Sequence, residues 1–86
     1  PCFIDQGAVM KSGARIGPYS VIGRQTHVEA NASIEGSILW PHCRVNREAS
    51  VRDAILGRHC HIGQNVTVDA GAVLGDRTTL TDYTRA

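Results

Sequence analysis

The feature that most constrains this sequence is an aliphatic residue that recurs every six positions along nearly its whole length. The series comprises Ile4, Met10, Ile16, Ile22, Val28, Ile34, Leu39, Val45, Val51, Leu56, Ile62, Val68, Leu74 and Leu80, and only two of its steps are five instead of six. A second column, four positions after each of these residues, is uncharged and mostly small: Ala8, Ala14, Ser20, Thr26, Ala32, Ile38, Cys43, Ala49, Ile55, Cys60, Val66, Ala72, Thr78 and Thr84. Two such columns in step show that the chain is built from a six-residue repeat.

A six-residue unit accommodates one short strand and one sharp corner, and three units close a triangular coil of about 18 residues. The aliphatic residue fills the interior of a flat wall, and the small residue lies inside near the corner, where a large side chain would clash. A helix is a poor alternative because residues six apart do not share a helical face and nine glycines oppose helix formation. We therefore predict one all-β domain over residues 1–86, a single-stranded left-handed parallel β-helix of about 4.5 coils.

Glycine often follows the aliphatic residue directly. This position is held by Gly17, Gly23, Gly57, Gly63 and Gly75, with Asp5, Asn46 and Asp69 as substitutes. Glycine, asparagine and aspartate enter the left-handed backbone region at low steric cost. We therefore expect these residues to form corners that need unusual backbone angles.

The two five-residue steps begin at Ile34 and Val51 and fall on the same wall of the coil, 17 residues apart. Four positions after each of them stands a large residue, Ile38 or Ile55, where the column is otherwise mostly small. We predict that two adjacent coils each have one shortened corner, with the isoleucine packed inside beneath it.

Composition and length exclude several functional classes. Nine basic residues balance eight acidic ones, and the arginines are dispersed from Arg15 to Arg85, so no nucleic-acid partner is predicted. No apolar run approaches the roughly 18 residues that a membrane span requires, and we expect no membrane association. Three cysteines, an odd number, do not suggest a disulfide framework, so we expect a reducing, cytoplasmic location. The sequence starts in the repeat pattern and without Met, which suggests a piece of a longer chain.

Histidines and cysteines are the residues with the most evident chemical potential. Cys43 and Cys60 share the inward column one coil apart and should stack as buried thiols. His42 and His59 should stack on the outside of the same edge, with His61 at the next corner. Stacked histidines offer two ligands, whereas zinc takes three or four, so the third would come from a neighbouring protomer. We predict no catalytic, cofactor or metal site in this chain; His42, His59 and His61 are the candidate ligands if a metal binds.

Trp40 stands at an outward corner, where the neighbouring coils carry Gly23 and Gly57. An outward tryptophan is a candidate contact for a partner subunit or domain; the alternative is a tryptophan folded over its own wall. We expect Phe3 and Tyr83, near the two ends, to cap the core. Because both ends of the β-helix would still expose unpaired strand edges, the fold predicts a neighbouring subunit or domain.

The segments Ser37–Trp40 and Ala54–Gly57 read Ser-Ile-Leu-Trp and Ala-Ile-Leu-Gly, and a later segment, Gly71–Asp76, closes the pattern. Through these three segments the chain resembles the C-terminal β-helix of sugar-nucleotide pyrophosphorylases, and the resemblance covers nearly its whole length. The resemblance is to mannose-1-phosphate guanylyltransferase-like and glucose-1-phosphate thymidylyltransferase-like proteins.

The resemblance implies an enzyme that joins a nucleoside triphosphate to a sugar 1-phosphate in a separate nucleotide-binding domain, which holds Mg²⁺ and is absent from this sequence. The chain itself would then be a non-catalytic assembly or regulatory domain, attached to that domain and forming a homo-oligomer through the β-helix. The alternative is a small trimeric hexapeptide-repeat acyltransferase, or a metal-dependent enzyme, with its site between subunits.

Overall fold

A computed structural model describes residues 3–85, which form short strands separated by tight corners. The strands are β1 (Phe3–Ile4), β2 (Val9–Met10), β3 (Arg15–Ile16), β4 (Val21–Ile22), β5 (His27–Val28), β6 (Ser33–Glu35), β7 (Ile38–Leu39), β8 (Arg44–Val45), β9 (Ser50–Arg52), β10 (Ile55–Leu56), β11 (His61–Ile62), β12 (Thr67–Val68), β13 (Val73–Leu74) and β14 (Thr79–Leu80). None of the described residues lies in a helix that is long and apolar enough to cross a membrane.

The strands stack into three parallel sheets, which are the walls of a β-solenoid of about five turns. Sheet I has the order β1-β4-β7-β10-β13, sheet II the order β14-β11-β8-β5-β2, and sheet III the order β12-β9-β6-β3. Each strand pairs with the strand three units away, as when Val21 and Ile22 lie beside Ile38 and Leu39. The predicted left-handed parallel β-helix is confirmed.

The interior is filled by the aliphatic column of the repeat. Its members in the central coils are at most 1% exposed: Ile22, Val28, Ile34, Leu39, Val45, Val51, Leu56, Ile62 and Val68. Towards the ends Met10, Ile16, Leu74 and Leu80 are partly buried against this core, and Ile4 is 44% exposed. The predicted inward column is thus confirmed, and the fold is held by a narrow core that runs through all the coils.

The two shortened corners lie in adjacent coils as predicted, but the prediction that Ile38 and Ile55 pack inside is wrong. These residues pair with each other on the outside of sheet I and are 41% and 40% exposed. The buried inward places belong to Ser37 and Ala54, and the Ala54 amide donates a 3.2 Å hydrogen bond to Ser37 Oγ. Each shortened unit lacks one residue of the corner that precedes its small residue. The small residue therefore follows the aliphatic residue by three positions instead of four, and the next strand keeps its register.

The prediction that the glycines after the aliphatic residue adopt unusual backbone angles is also wrong. The left-handed angles occur two positions later, for example at Gln25 (φ 55°), His42 (φ 65°) and His59 (φ 57°). Gly23 has an ordinary φ, but a Cβ there would lie 2.6 Å from the Pro41 nitrogen. This glycine therefore permits the close approach of the next coil.

Phe3 and Tyr83 do not cap the core as expected. Phe3 is 60% exposed and pairs with Val21 on the outside of sheet I. Tyr83 is 72% exposed and lies at a corner with a φ of 64°. Both aromatic rings therefore face outward, and the ends of the core are left partly open.

Candidate functional site

The outside of sheet I carries one hydrophobic residue in every coil. We call this column the apolar face; it consists of Phe3, Val21, Ile38, Ile55 and Val73. Each member is in direct parallel register with the next, so the column is continuous over all five strands of the sheet. Exposed fractions run from 38% at Val21 to 70% at Val73. The apolar face is a straight ladder of exposed aliphatic and aromatic side chains.

The other two walls are different. The corresponding outward positions are mostly polar on sheet II (Val9, His27, Arg44, His61 and Thr79) and entirely polar on sheet III (Arg15, Ser33, Ser50 and Thr67). In a wall with one side in the core and the other in water, strand residues are expected to alternate between apolar and polar. Sheet I departs from this rule in every coil, and contiguous exposed apolar patches mark protein-interaction surfaces. The apolar face is therefore the candidate functional site.

Trp40 extends the apolar face at the corner that leads from sheet I to sheet II. It is 46% exposed, and the guanidinium carbon of Arg58 lies 5.4 Å from its ring centroid, within cation–π range. A groove of about 220 Å³ lies beside it, lined by Asp5, Val21, Gly23, Ile38, Leu39, Trp40 and Pro41. Trp40 thus faces outward, and its role as an interface contact stays a prediction.

The structure brings together two of the three candidate metal ligands. The rings of His42 and His59 stack with centroids 5.0 Å apart and planes 5° apart. His61 is not at the next corner as expected; it lies in β11 on the outside of sheet II, with its Nε2 3.0 Å from Asn46 Nδ2. In the stretch from residue 3 to residue 85, no three His, Cys, Asp or Glu side chains form a group that would hold a metal ion.

Cys43 and Cys60 are buried free thiols in adjacent coils, as the repeat predicts. Cys43 Sγ donates to the Gly57 carbonyl at 3.0 Å, and Cys60 Sγ donates to the Gly75 carbonyl at 3.2 Å. Burial raises the pKa of the Cys43 thiol to about 11. Because a thiolate is the reactive form, Cys43 is a packing residue and a poor nucleophile at neutral pH.

The raised pKa of Cys43 has a consequence for stability. Its thiol has an ordinary pKa of 9.0 and a folded-state pKa of about 11, so the unfolded chain loses this proton at lower pH. We expect the contribution of Cys43 to the free energy of unfolding to be constant below about pH 9 and to fall by on the order of 2 kcal/mol towards pH 11. Urea denaturation at pH 8 and pH 10.5 measures this loss. Cys43→Ala is the control, and an unchanged pH dependence in this variant would contradict the assignment.

The two columns of the six-residue repeat did not reveal the apolar face, although the sequence contains a signal for it. Its members stand directly before the aliphatic residue of every third unit, so they are 17 or 18 residues apart. A comparison of outward residues from one coil to the next would have found the column. A comparison of consecutive six-residue units does not show this column, because consecutive units lie on three different walls.

The family described as the GMPPB C-terminal domain matches residues 1–85. This family is a hexapeptide-repeat β-helix region of mannose-1-phosphate guanylyltransferase, and the match confirms the resemblance seen in the two shortened units. No curated protein matches the chain.

Proposed function

The chain belongs to the GMPPB C-terminal domain family, and from this we infer that it serves as a non-catalytic assembly domain of a GDP-mannose-forming nucleotidyltransferase. The observation that carries the proposal is the apolar face, an unbroken hydrophobic column on a solenoid whose other two walls are mostly polar outside. The proposal places nucleotide binding, Mg²⁺ and the chemistry in an attached domain, as the resemblance implies. The part assigned to this chain is to hold copies of the enzyme together.

The size of the apolar face supports self-association. From their exposed fractions, its five side chains together with Trp40 present roughly 500 Å² of surface. Two copies that bury this surface against each other would cover about 1,000 Å² in total, the lower limit for a specific interface. A second copy of the chain is therefore the partner that we propose.

Charged residues introduced into the apolar face should separate the copies. In the double variant Ile38→Lys/Ile55→Lys, two lysines would have to be buried without partners at the interface. We expect the dissociation constant for self-association to rise about 100-fold or more, as measured by sedimentation velocity over a range of concentrations. Both positions are on the surface, so circular dichroism should show an intact fold.

The matched control is Thr67→Lys/Thr79→Lys, which adds the same charges to the outsides of sheets III and II. This variant should associate like the unmodified chain. Equal association of both variants would exclude the apolar face as the interface. Turnover of GTP and mannose 1-phosphate by the 86-residue chain would overturn the non-catalytic assignment.

A further inference from the structure

We propose that the apolar face pairs with the same face of a second copy around a two-fold axis parallel to the solenoid axis. The two solenoids then lie next to each other with their N-terminal coils at the same end. This inference rests on the proposed assembly function and adds to it the orientation of the partner. It is drawn from the charges and corners on the two edges of the apolar face.

The edge where the chain enters sheet I is acidic. The charged residues at this edge are Glu35, Arg52, Asp53 and Asp69, with a net charge of −2, which becomes −1 when the Arg85 partner of Asp69 is counted. Arg52 lies in register with Glu35, and Arg85 Nε donates a 2.9 Å hydrogen bond to Asp69 Oδ2 in an ion pair. Asp53 forms no ion pair with any residue of the described range 3–85, so its charge is available to a partner. We call these four residues the acidic edge.

The edge where the chain leaves sheet I is basic. Its charged residues are Asp5, Arg24, Arg58, Asp76 and Arg77, with a net charge of +1. Both carboxylates of this edge accept backbone hydrogen bonds, Asp76 Oδ1 from the Arg58 amide at 2.8 Å and Asp5 Oδ1 from the Gln6 amide at 2.7 Å. We call this set the basic edge. The apolar face is therefore flanked by opposite charges.

Two identical faces can meet around a two-fold axis in the plane of the interface, and the two limiting arrangements differ in the direction of that axis. If the axis is parallel to the solenoid axis, each acidic edge lies over the partner's basic edge. If the axis is perpendicular to it and lies in the plane of the interface, acidic meets acidic and basic meets basic. Juxtaposed like charges are costly and select against the second arrangement. The charge distribution thus favours the parallel pair.

The shortened corners agree with the same arrangement. Both of them, at Gly36 and Asp53, lie on the acidic edge, and each has one residue fewer than the other corners. This edge therefore protrudes less in the coils that contain Ile38 and Ile55. In the parallel pair, the partner's Trp40 lies over the acidic edge at the height of Gly36, beside the Asp53 carboxylate.

The orientation can be measured by cross-linking cysteines at the two ends of the apolar face. The variants are Phe3→Cys and Val73→Cys, each in a Cys2→Ser background where the remaining thiols, Cys43 and Cys60, are buried. The reagent is a thiol-specific cross-linker that spans about 10 Å, the separation of packed sheets. In a parallel pair each variant cross-links to itself. A cysteine at Thr79, on sheet II, is the control and should give no product.

An antiparallel pair gives the opposite result. Phe3 and Val73 are four strands apart in sheet I, or about 19 Å, so neither variant would cross-link to itself. Only a mixture of the two variants would give product. That result would overturn the parallel orientation and leave the assembly function standing. No product from either variant or from their mixture, in a chain that still self-associates, would exclude this face as the contact between copies. A chain that remains monomeric would overturn both proposals.

Charge reversal provides a second test. Asp53 and Arg58 lie on opposite edges at the height of β10 and face each other in the parallel pair. Asp53→Lys and Arg58→Glu should therefore each weaken this pair about fivefold, and the combined variant should recover most of the loss. In an antiparallel pair, where like edges meet, Arg58→Glu would instead strengthen association. Strengthening by the single variant would therefore overturn the proposed orientation.

Discussion

Replacement of Leu56 by alanine should lower the free energy of unfolding by about 3 kcal/mol, whereas replacement of its neighbour Ile55 should lower it by less than about 1 kcal/mol. Leu56 is fully buried in the core, and Ile55 is 40% exposed on the apolar face. Both substitutions remove the same number of carbon atoms from adjacent residues of β10. The difference between them therefore reports which side of the wall each residue occupies.

Urea denaturation followed by circular dichroism measures both losses, at a protein concentration low enough for the chain to be monomeric. The urea dependence of unfolding should stay constant if only stability changes. Equal losses, or a larger loss at Ile55, would mean that the isoleucine is inside. That outcome would restore the register obtained by counting four residues from Val51.

The parts of the fold that follow from local spacing could be predicted from the sequence. A short strand and a tight corner alternate along the chain, so the buried places of Cys43 and Cys60 follow from their column alone. The stacking of His42 on His59 follows in the same way, because residues 17 apart occupy equivalent places in adjacent coils. The family was also identified from the sequence, on the strength of its two shortened units.

The features that were missed depend on contacts between coils or on a change in the length of a unit. Ile38 and Ile55 were placed inside because the count assumed that a shortened unit loses a residue after its small residue. The corner loses it instead, since the small residue must stay where the walls converge. The apolar face escaped notice because it is a property of one wall, spread over positions 17 or 18 apart.

The apolar face and the core stand on opposite sides of the same five strands. Sheet I is thus hydrophobic on both sides, as is typical of a parallel sheet covered on both faces. The three walls have the same hydrogen-bonding pattern, so the fold alone does not require one wall to be apolar outside. Contact with a partner explains the apolar outer side of sheet I, and the proposed pairing of two copies provides this contact.

Replacement of Gly23 by alanine should lower the free energy of unfolding by about 3 kcal/mol or more, while Gly75→Ala should raise it by about 0.5 kcal/mol. A Cβ at Gly23 would lie 2.6 Å from the Pro41 nitrogen and 2.7 Å from the Trp40 carbonyl carbon. These are backbone atoms, and they cannot recede without disturbing the 2.8 Å hydrogen bond from the Gly23 amide to the Leu39 carbonyl. At Gly75 an added Cβ meets no atom of the described residues within 4 Å.

Both glycines follow an aliphatic residue of sheet I, and both have φ values that alanine can adopt. The pair therefore separates two explanations of a corner glycine, which thermal or urea denaturation of the two variants can distinguish. If backbone angles were the reason for glycine here, both variants would lose stability to a similar degree. If the approach of the next coil is the reason, only Gly23→Ala loses stability. Among residues 3–85, β13, the strand before Gly75, is the last strand of sheet I, and no described coil packs beyond it.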